Sequence, residues 1–153
     1  MEFTRVNFRP SFFGDRPLVL LEDGELKATA FCYESGVCGL KIENEHCSMV
    51  VLPYMGQQIW FAEFEGRNLT QKSIFDQPLA TTKFGDNYGG LLLHCGLTNI
   101  NCPGDGEDYP IHGELPFANY PETYAGIGRD ESGVYLAVGG TFVYRNRQEY
   151  HYA

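Results

Sequence analysis

The residues of this sequence best suited to chemistry are two histidines set beside glycine-rich turns. His94 closes the run Gly89-Gly90-Leu91-Leu92-Leu93-His94-Cys95-Gly96, and His112 stands within Tyr109-Pro110-Ile111-His112-Gly113. The first run reads as a buried strand with a polar end, its glycines allowing close backbone approach and its leucines supplying a core face. A loop of turn formers then returns the His-Gly pair to the same end of the sheet. Imidazole gains and loses a proton near neutral pH, so His112, held between Pro110 and Pro116, suits a general acid. The glycine beside it leaves room for a ligand. The plainer readings are a hydrogen-bonded loop histidine for His112 and a rim histidine at a strand end for His94.

Other polar groups surround this pair in sequence. Glu107 and Asp108, with Asp105, lie on the loop before His112 and offer carboxylates to sugar hydroxyls, although a solvated acidic loop has the same composition. His94, with Asn87 and Tyr88 just ahead of the glycine pair, completes the set of substrate-binding candidates. Trp60 and the tyrosines are of a type that stacks on sugar faces, with core packing as the simpler account. His94, Cys95, Cys102 and His112 are metal-ligand types. Adjacent residues of a strand face opposite ways, however, and the tight ligand pairs of zinc sites are missing, so no metal is expected. There is no Gly-x-Ser-x-Gly elbow, phosphate loop, dinucleotide fingerprint or His-x-His pair.

The elements that must position these residues read as strands. The chain has 153 residues, enough for one domain with a single core, of which 43% are hydrophobic and 14% aromatic. Eighteen glycines, ten tyrosines and eleven phenylalanines favour short strands joined by tight turns. Strands are predicted over Leu18–Leu21, Leu26–Tyr33, Val37–Ile42, Ser48–Leu52 and Ile59–Phe64, then Val134–Val143 and Tyr144–Tyr152, with turns at Glu22-Asp23-Gly24, Glu34-Ser35-Gly36, Glu43-Asn44-Glu45 and Glu65-Gly66-Arg67-Asn68. Residues 1–17 read as a lead-in arm, and Leu69 to Asn87 as a long connection with one helical turn at most. No segment keeps a 3.6-residue apolar period over three turns. The fold class is therefore all-β and antiparallel.

A net charge of -9 argues against nucleic acid or an anionic membrane as partner. No run approaches the roughly 18 apolar residues of a membrane span. Five cysteines, at Cys32, Cys38, Cys47, Cys95 and Cys102, form an odd set without a CxxC pair, which predicts free thiols in a reducing compartment. With no apolar run at the N-terminus to act as a signal peptide, the expected location is the cytoplasm.

Several segments, taken in order, resemble the aldose 1-epimerase and galactose mutarotase-like superfamily. These are Pro53-Tyr54-Met55-Gly56-Gln57-Gln58-Ile59, the turn Glu65-Gly66-Arg67-Asn68-Leu69, Gly89-Gly90 with its apolar run, Cys95-Gly96-Leu97, and Pro110-Ile111-His112-Gly113. The closest likeness is to an uncharacterised branch of that superfamily, and it covers about Lys27 to Ala153. It implies an antiparallel β-sandwich that binds a sugar in a groove on one sheet. It also implies anomer interconversion, in which a carboxylate takes the proton of the anomeric hydroxyl while a histidine protonates the ring oxygen. That chemistry needs no metal and no other cofactor. His112 falls on the family's first active-site histidine; His94 matches no catalytic position and is a groove-lining residue only.

The departures are informative. Sugar-phosphate members follow His-Gly with an aromatic residue and an arginine, where this chain has Glu114-Leu115-Pro116, so a free sugar is the expected small-molecule partner. The family's second histidine and its carboxylate belong to a later half that this sequence does not contain. Residues 1–153 are thus read as a single β-sandwich domain or the N-terminal part of one. An epimerase, a non-catalytic sugar-binding module and, distantly, a cupin-like metal enzyme remain as alternatives. Self-association is expected through an exposed sheet edge near Tyr144 to Tyr152.

Overall fold

The computed structural model describes residues 2–145 and 150–152. Eleven strands and three short 3-10 turns account for the regular structure among them. Six strands follow one another as an antiparallel meander: β2 (Leu18–Asp23), β3 (Leu26–Cys32), β4 (Cys38–Glu43), β5 (Cys47–Leu52), β6 (Gln58–Phe64) and β7 (Arg67–Asn68). A second antiparallel sheet places β8 (Glu122–Asp130) between β1 (Glu2–Asn7) and β9 (Gly133–Thr141). β10 (Val143–Arg145) pairs with β11 (Tyr150–Tyr152) as a separate ribbon. The protein is all-β, with its two larger sheets in a sandwich-like arrangement.

The turns form where the sequence provides for them. Asn44 accepts from the backbone N–H groups of His46 and Cys47 at 2.9 and 2.7 Å, closing the β4–β5 connection with its own side chain. Gly36, at φ 83, supplies the left-handed residue that the β3–β4 turn requires. Strand alternation then sorts the side chains. Ala28, Ala30 and Leu40 lie fully buried on one face with Phe8, Phe13 and Ala125, and Leu136 and Val138 of β9 pack against that cluster from the other sheet. Burying one leucine side chain is worth about 1.5–3 kcal/mol, so this shared core is what holds sheet to sheet. On the opposite face Val37, Val50, Leu52 and Trp60 form a second core with Phe31, Tyr33 and Phe75. At the rim, Arg129 of β8 pairs with Asp23 of β2.

Three strands lie where none is expected from the sequence, the shortest being β7, which occupies the second half of the expected turn Glu65-Gly66-Arg67-Asn68. Residues 2–7, read as an arm, form β1, and β8 contains Ala125, Gly126 and Gly128, residues of poor strand propensity. Aromatic rings make up for the missing side chains. Phe3 covers Gly126, Tyr135 covers its cross-strand partner Gly128, and Tyr124 covers its partner Gly139. Phe31 covers Gly39 in the same manner in the other sheet. The expected strand over Tyr144–Tyr152 divides into the end of β10 and β11, while residues 146–149 lie outside the described residues.

The expected buried strand at Leu91–Leu93 does not form. Only Leu92 bridges to the sheet, at Ile59, and Leu91 and Leu92 are exposed. This segment covers part of an edge instead. Leu91 donates to the Ile59 carbonyl at 2.8 Å and Ile59 donates back to Leu92 at 3.0 Å, while Leu69 and the Thr70 hydroxyl serve Ala62 farther along the same strand. β6 thus has its edge closed in two short pieces, and neither requires a full strand.

Candidate functional site

The site is built on residues 96–118, which are pinned at two places. At the first, Gly113 packs onto the backbone of the Gly96–Asn99 turn. A Cβ there would lie 2.2 Å from the Asn99 carbonyl oxygen and 2.5 Å from that of Gly96, and φ is +86. His112 is held just before it, at φ 64, where it is strained for a residue with a side chain. Its N–H donates to the Asn101 carbonyl at 2.7 Å, and its own carbonyl accepts from Gly96 N–H at 2.9 Å. The space expected beside Gly113, and likewise beside Gly89 and Gly90, is filled by protein. Gly89 lies against the Ser73 side chain and Gly90 against the Ile59 carbonyl. Gly89 and Gly113 serve close packing, and Gly90, packed on Ile59, also borders the open groove beside His112.

At the second place, Leu115–Ala118 docks on the turn after β5. Gly56 donates to the Ala118 carbonyl at 2.8 Å, and a Cβ on Gly56 would meet the Pro116 oxygen at 2.2 Å. The buried Gln58 donates to the same Pro116 oxygen at 2.7 Å. The Pro53–Gln58 segment therefore positions the His112 segment across the fold.

Glu114 ties the first anchor together. Its carboxylate accepts from Leu97 N–H at 2.8 Å, Thr98 N–H at 3.0 Å and the Thr98 hydroxyl at 2.5 Å. Desolvation pushes its pKa upward, but the bonds from Thr98 and Leu97 and from its own backbone prevail, lowering it from 4.5 to about 2. Glu114 is thus an ionised structural node, a role that its sequence neighbours do not signal.

The His112 ring emerges beside an aromatic group. Its centroid lies 4.7 Å from that of Phe84, which in turn contacts Tyr88 at 5.1 Å and Phe117 at 6.5 Å. Phe84, Tyr88 and His112 line an open groove of about 430 Å³ together with Gln71, Leu91 and Cys95. The structure therefore brings His112 and Tyr88 to one groove. His94 is exposed and is not among the groove's lining residues. Asn87 is fully buried and its amide is engaged, accepting from Leu79 N–H at 2.9 Å and donating to the Met55 sulfur at 3.3 Å. Glu107 caps its own loop by accepting from Gly104 N–H at 2.7 Å, and Asp108 is exposed on that loop. Trp60 belongs to the core. Phe84 and Gln71 were not anticipated as groove residues, since nothing in the irregular stretch around them signals a common face.

No carboxylate lines this groove among the described residues. Nor, among those residues, do three or more His, Cys, Asp or Glu side chains gather at a spot able to hold a metal ion. No helix is long and apolar enough to cross a membrane. Fold and site together define an antiparallel β protein that presents one imidazole in an aromatic groove. No protein-family model, curated protein or solved structure matches the chain.

Proposed function

We propose that the groove around His112 binds the ring of a free sugar, and that His112 is the proton donor in opening that ring, as in the aldose 1-epimerase-like proteins that the chain resembles. The observation that carries this reading is the His112 ring set against Phe84 in a groove shared with Tyr88. Aromatic faces accept the C–H face of a pyranose, and a few polar atoms, here from Gln71, Tyr88 and His112, orient its hydroxyls. In the ring opening, the imidazolium protonates the ring oxygen and the C1–O bond breaks as the anomeric hydroxyl loses its proton to a base. Rotation about C1–C2 and reclosure give the other anomer.

The base is the missing partner, because the groove carries no carboxylate among the described residues. This favours a second reading, a sugar-binding module without turnover. Polarimetry on freshly dissolved α-glucose and α-galactose, with sugar binding followed in parallel, separates the two. The epimerase reading expects anomer exchange above the buffer rate, raised further by added acetate as an external base and reduced about 10²–10⁴-fold in His112→Ala. Binding with no acceleration supports the module. Absence of binding removes both.

A further inference from the structure

The hairpin joining β3 to β4 sets two thiols opposite one another. Cys32 and Cys38 are cross-strand partners in the register that also pairs Ala30 with Leu40 and Ala28 with Ile42. Ala28, Ala30 and Leu40 are fully buried in the core between the sheets, and Cys38 packs on the same cluster. By the two-residue period of a strand, Cys32 and Cys38 end that row on the same face.

The hydrogen bonds fix which kind of pair this is. Tyr33 N–H donates to the Val37 carbonyl at 2.9 Å, which makes the neighbouring pair the hydrogen-bonded one. Cys32 N–H donates away from β4, to the Gly14 carbonyl at 3.0 Å. Cys32 and Cys38 therefore form a non-hydrogen-bonded pair, in which the α-carbons stand ~4.5 Å apart and side chains approach most closely. That spacing lies within the roughly 4.4–6.8 Å a disulfide spans. Both thiols are free and half-buried, within reach of a small oxidant.

We propose that Cys32 and Cys38 are a redox modification site that closes as a reversible cross-strand disulfide, with a low-molecular-weight disulfide as oxidant. One cysteine thiolate attacks the S–S bond of the oxidant, releases one small thiol and leaves a mixed disulfide on the protein. The second cysteine gives up its proton, attacks the protein sulfur of that mixed disulfide and expels the other small thiol. The protein loses two protons and two electrons, and the oxidant gains them as two thiols. Burial, with the nearby Cys32 adding to it, pushes the Cys38 thiol up to about 11, so Cys38 gives up its proton more readily, and closure speeds up, as pH rises. The tip of this hairpin is tied to the connection leading to the groove. Ser35 donates through its N–H to the Gln77 side chain at 3.1 Å and through its hydroxyl to the Pro78 carbonyl at 2.6 Å. Closure thus stiffens the support of residues 77–78.

The test is incubation of the full chain with oxidised glutathione at mildly alkaline pH, followed by alkylation, digestion and mass spectrometry. The expected product is a peptide pair joined through Cys32 and Cys38, two hydrogens lighter than the reduced pair and released by dithiothreitol. The melting temperature should rise by about 5 °C on closure, and Cys32→Ser should abolish that rise. The proposal is overturned if Cys32 and Cys38 are both alkylated after oxidation, or if each carries its own glutathione. The wild-type peptide map decides the matter even where Cys32→Ser fails to fold.

Discussion

In the meander, Leu40, Leu52 and Trp60 lie buried between packed faces, and the strands hold one another through continuous ladders. Across residues 69–121 the balance is reversed. Ile74 is 91% exposed and Tyr88 57%, with Leu91, Leu92, Ile100 and Ile111 also in water, while the buried positions include Asn87 and Pro116. That region is held by side chains bonded to backbone, at Asn87, Gln58 and Glu114, and by glycines packed against carbonyls. The scaffold therefore rests on non-directional burial, whereas the groove rests on a few directional nodes, one of them charged. Removing part of the first should weaken the whole molecule. Removing one of the second should release the site alone.

The largest effect is expected in the scaffold. Leu40→Ala should reduce global stability by about 3 kcal/mol, read from the urea midpoint at constant slope. A loss under about 1 kcal/mol would mean that the sheets are not joined through this core. Next comes Gly113→Ala, which combines a left-handed backbone with a collision against two carbonyls. It should destabilise the 96–114 region by about 2–3 kcal/mol. Amide hydrogen exchange should accelerate there while β3 and β4 keep their protection; equal loosening of both would erase the distinction drawn between the regions.

Glu114→Gln should cost less, about 1–2 kcal/mol locally, because the amide oxygen can keep both backbone N–H groups while the charge is lost and an NH2 donor replaces the oxygen that accepts from the Thr98 hydroxyl. It also changes the pH dependence. The folded carboxyl titrates at about 2 against an ordinary 4.5, so its contribution is fully present above pH 4.5 and is lost as pH falls from there through about 2. The protection factors of the Leu97 and Thr98 amides, taken relative to intrinsic exchange at each pH, should fall as pH drops through that window in the parent and stay flat in the variant. A parent profile unchanged down to pH 2 would remove Glu114 from its role as node.

The same contrast explains what could be read from sequence. The five meander strands from Leu18 to Phe64 were legible because short apolar and β-rich runs are cut at close intervals by turn formers such as Asp23-Gly24, Ser35-Gly36 and Asn44. β8 was not, since its small residues acquire a packing surface only from rings on other strands, among them Phe3 and Tyr135. Leu91–Leu93 misled because three leucines look buried, whereas their segment closes the edge of β6. His112 and Tyr88 could be named as site candidates, but the burial of Asn87 and the loop-internal bond of Glu107 depend on contacts that spacing does not encode. The facing of Cys32 and Cys38 was likewise hidden, because a hairpin register, not a CxxC spacing, brings them together.

The most direct test of the groove as a sugar site is a titration followed by NMR. Glucose and galactose are added in turn, to about 10 mM to allow for a weak millimolar Kd, while the amide and imidazole resonances of the full chain are recorded. A sugar in the groove should shift resonances centred on His112, Phe84, Tyr88 and Gln71, with Glu107, Asp108 and the meander core unmoved and the response lost in His112→Ala. Shifts that avoid those four residues, or none with either sugar, would contradict a sugar site there.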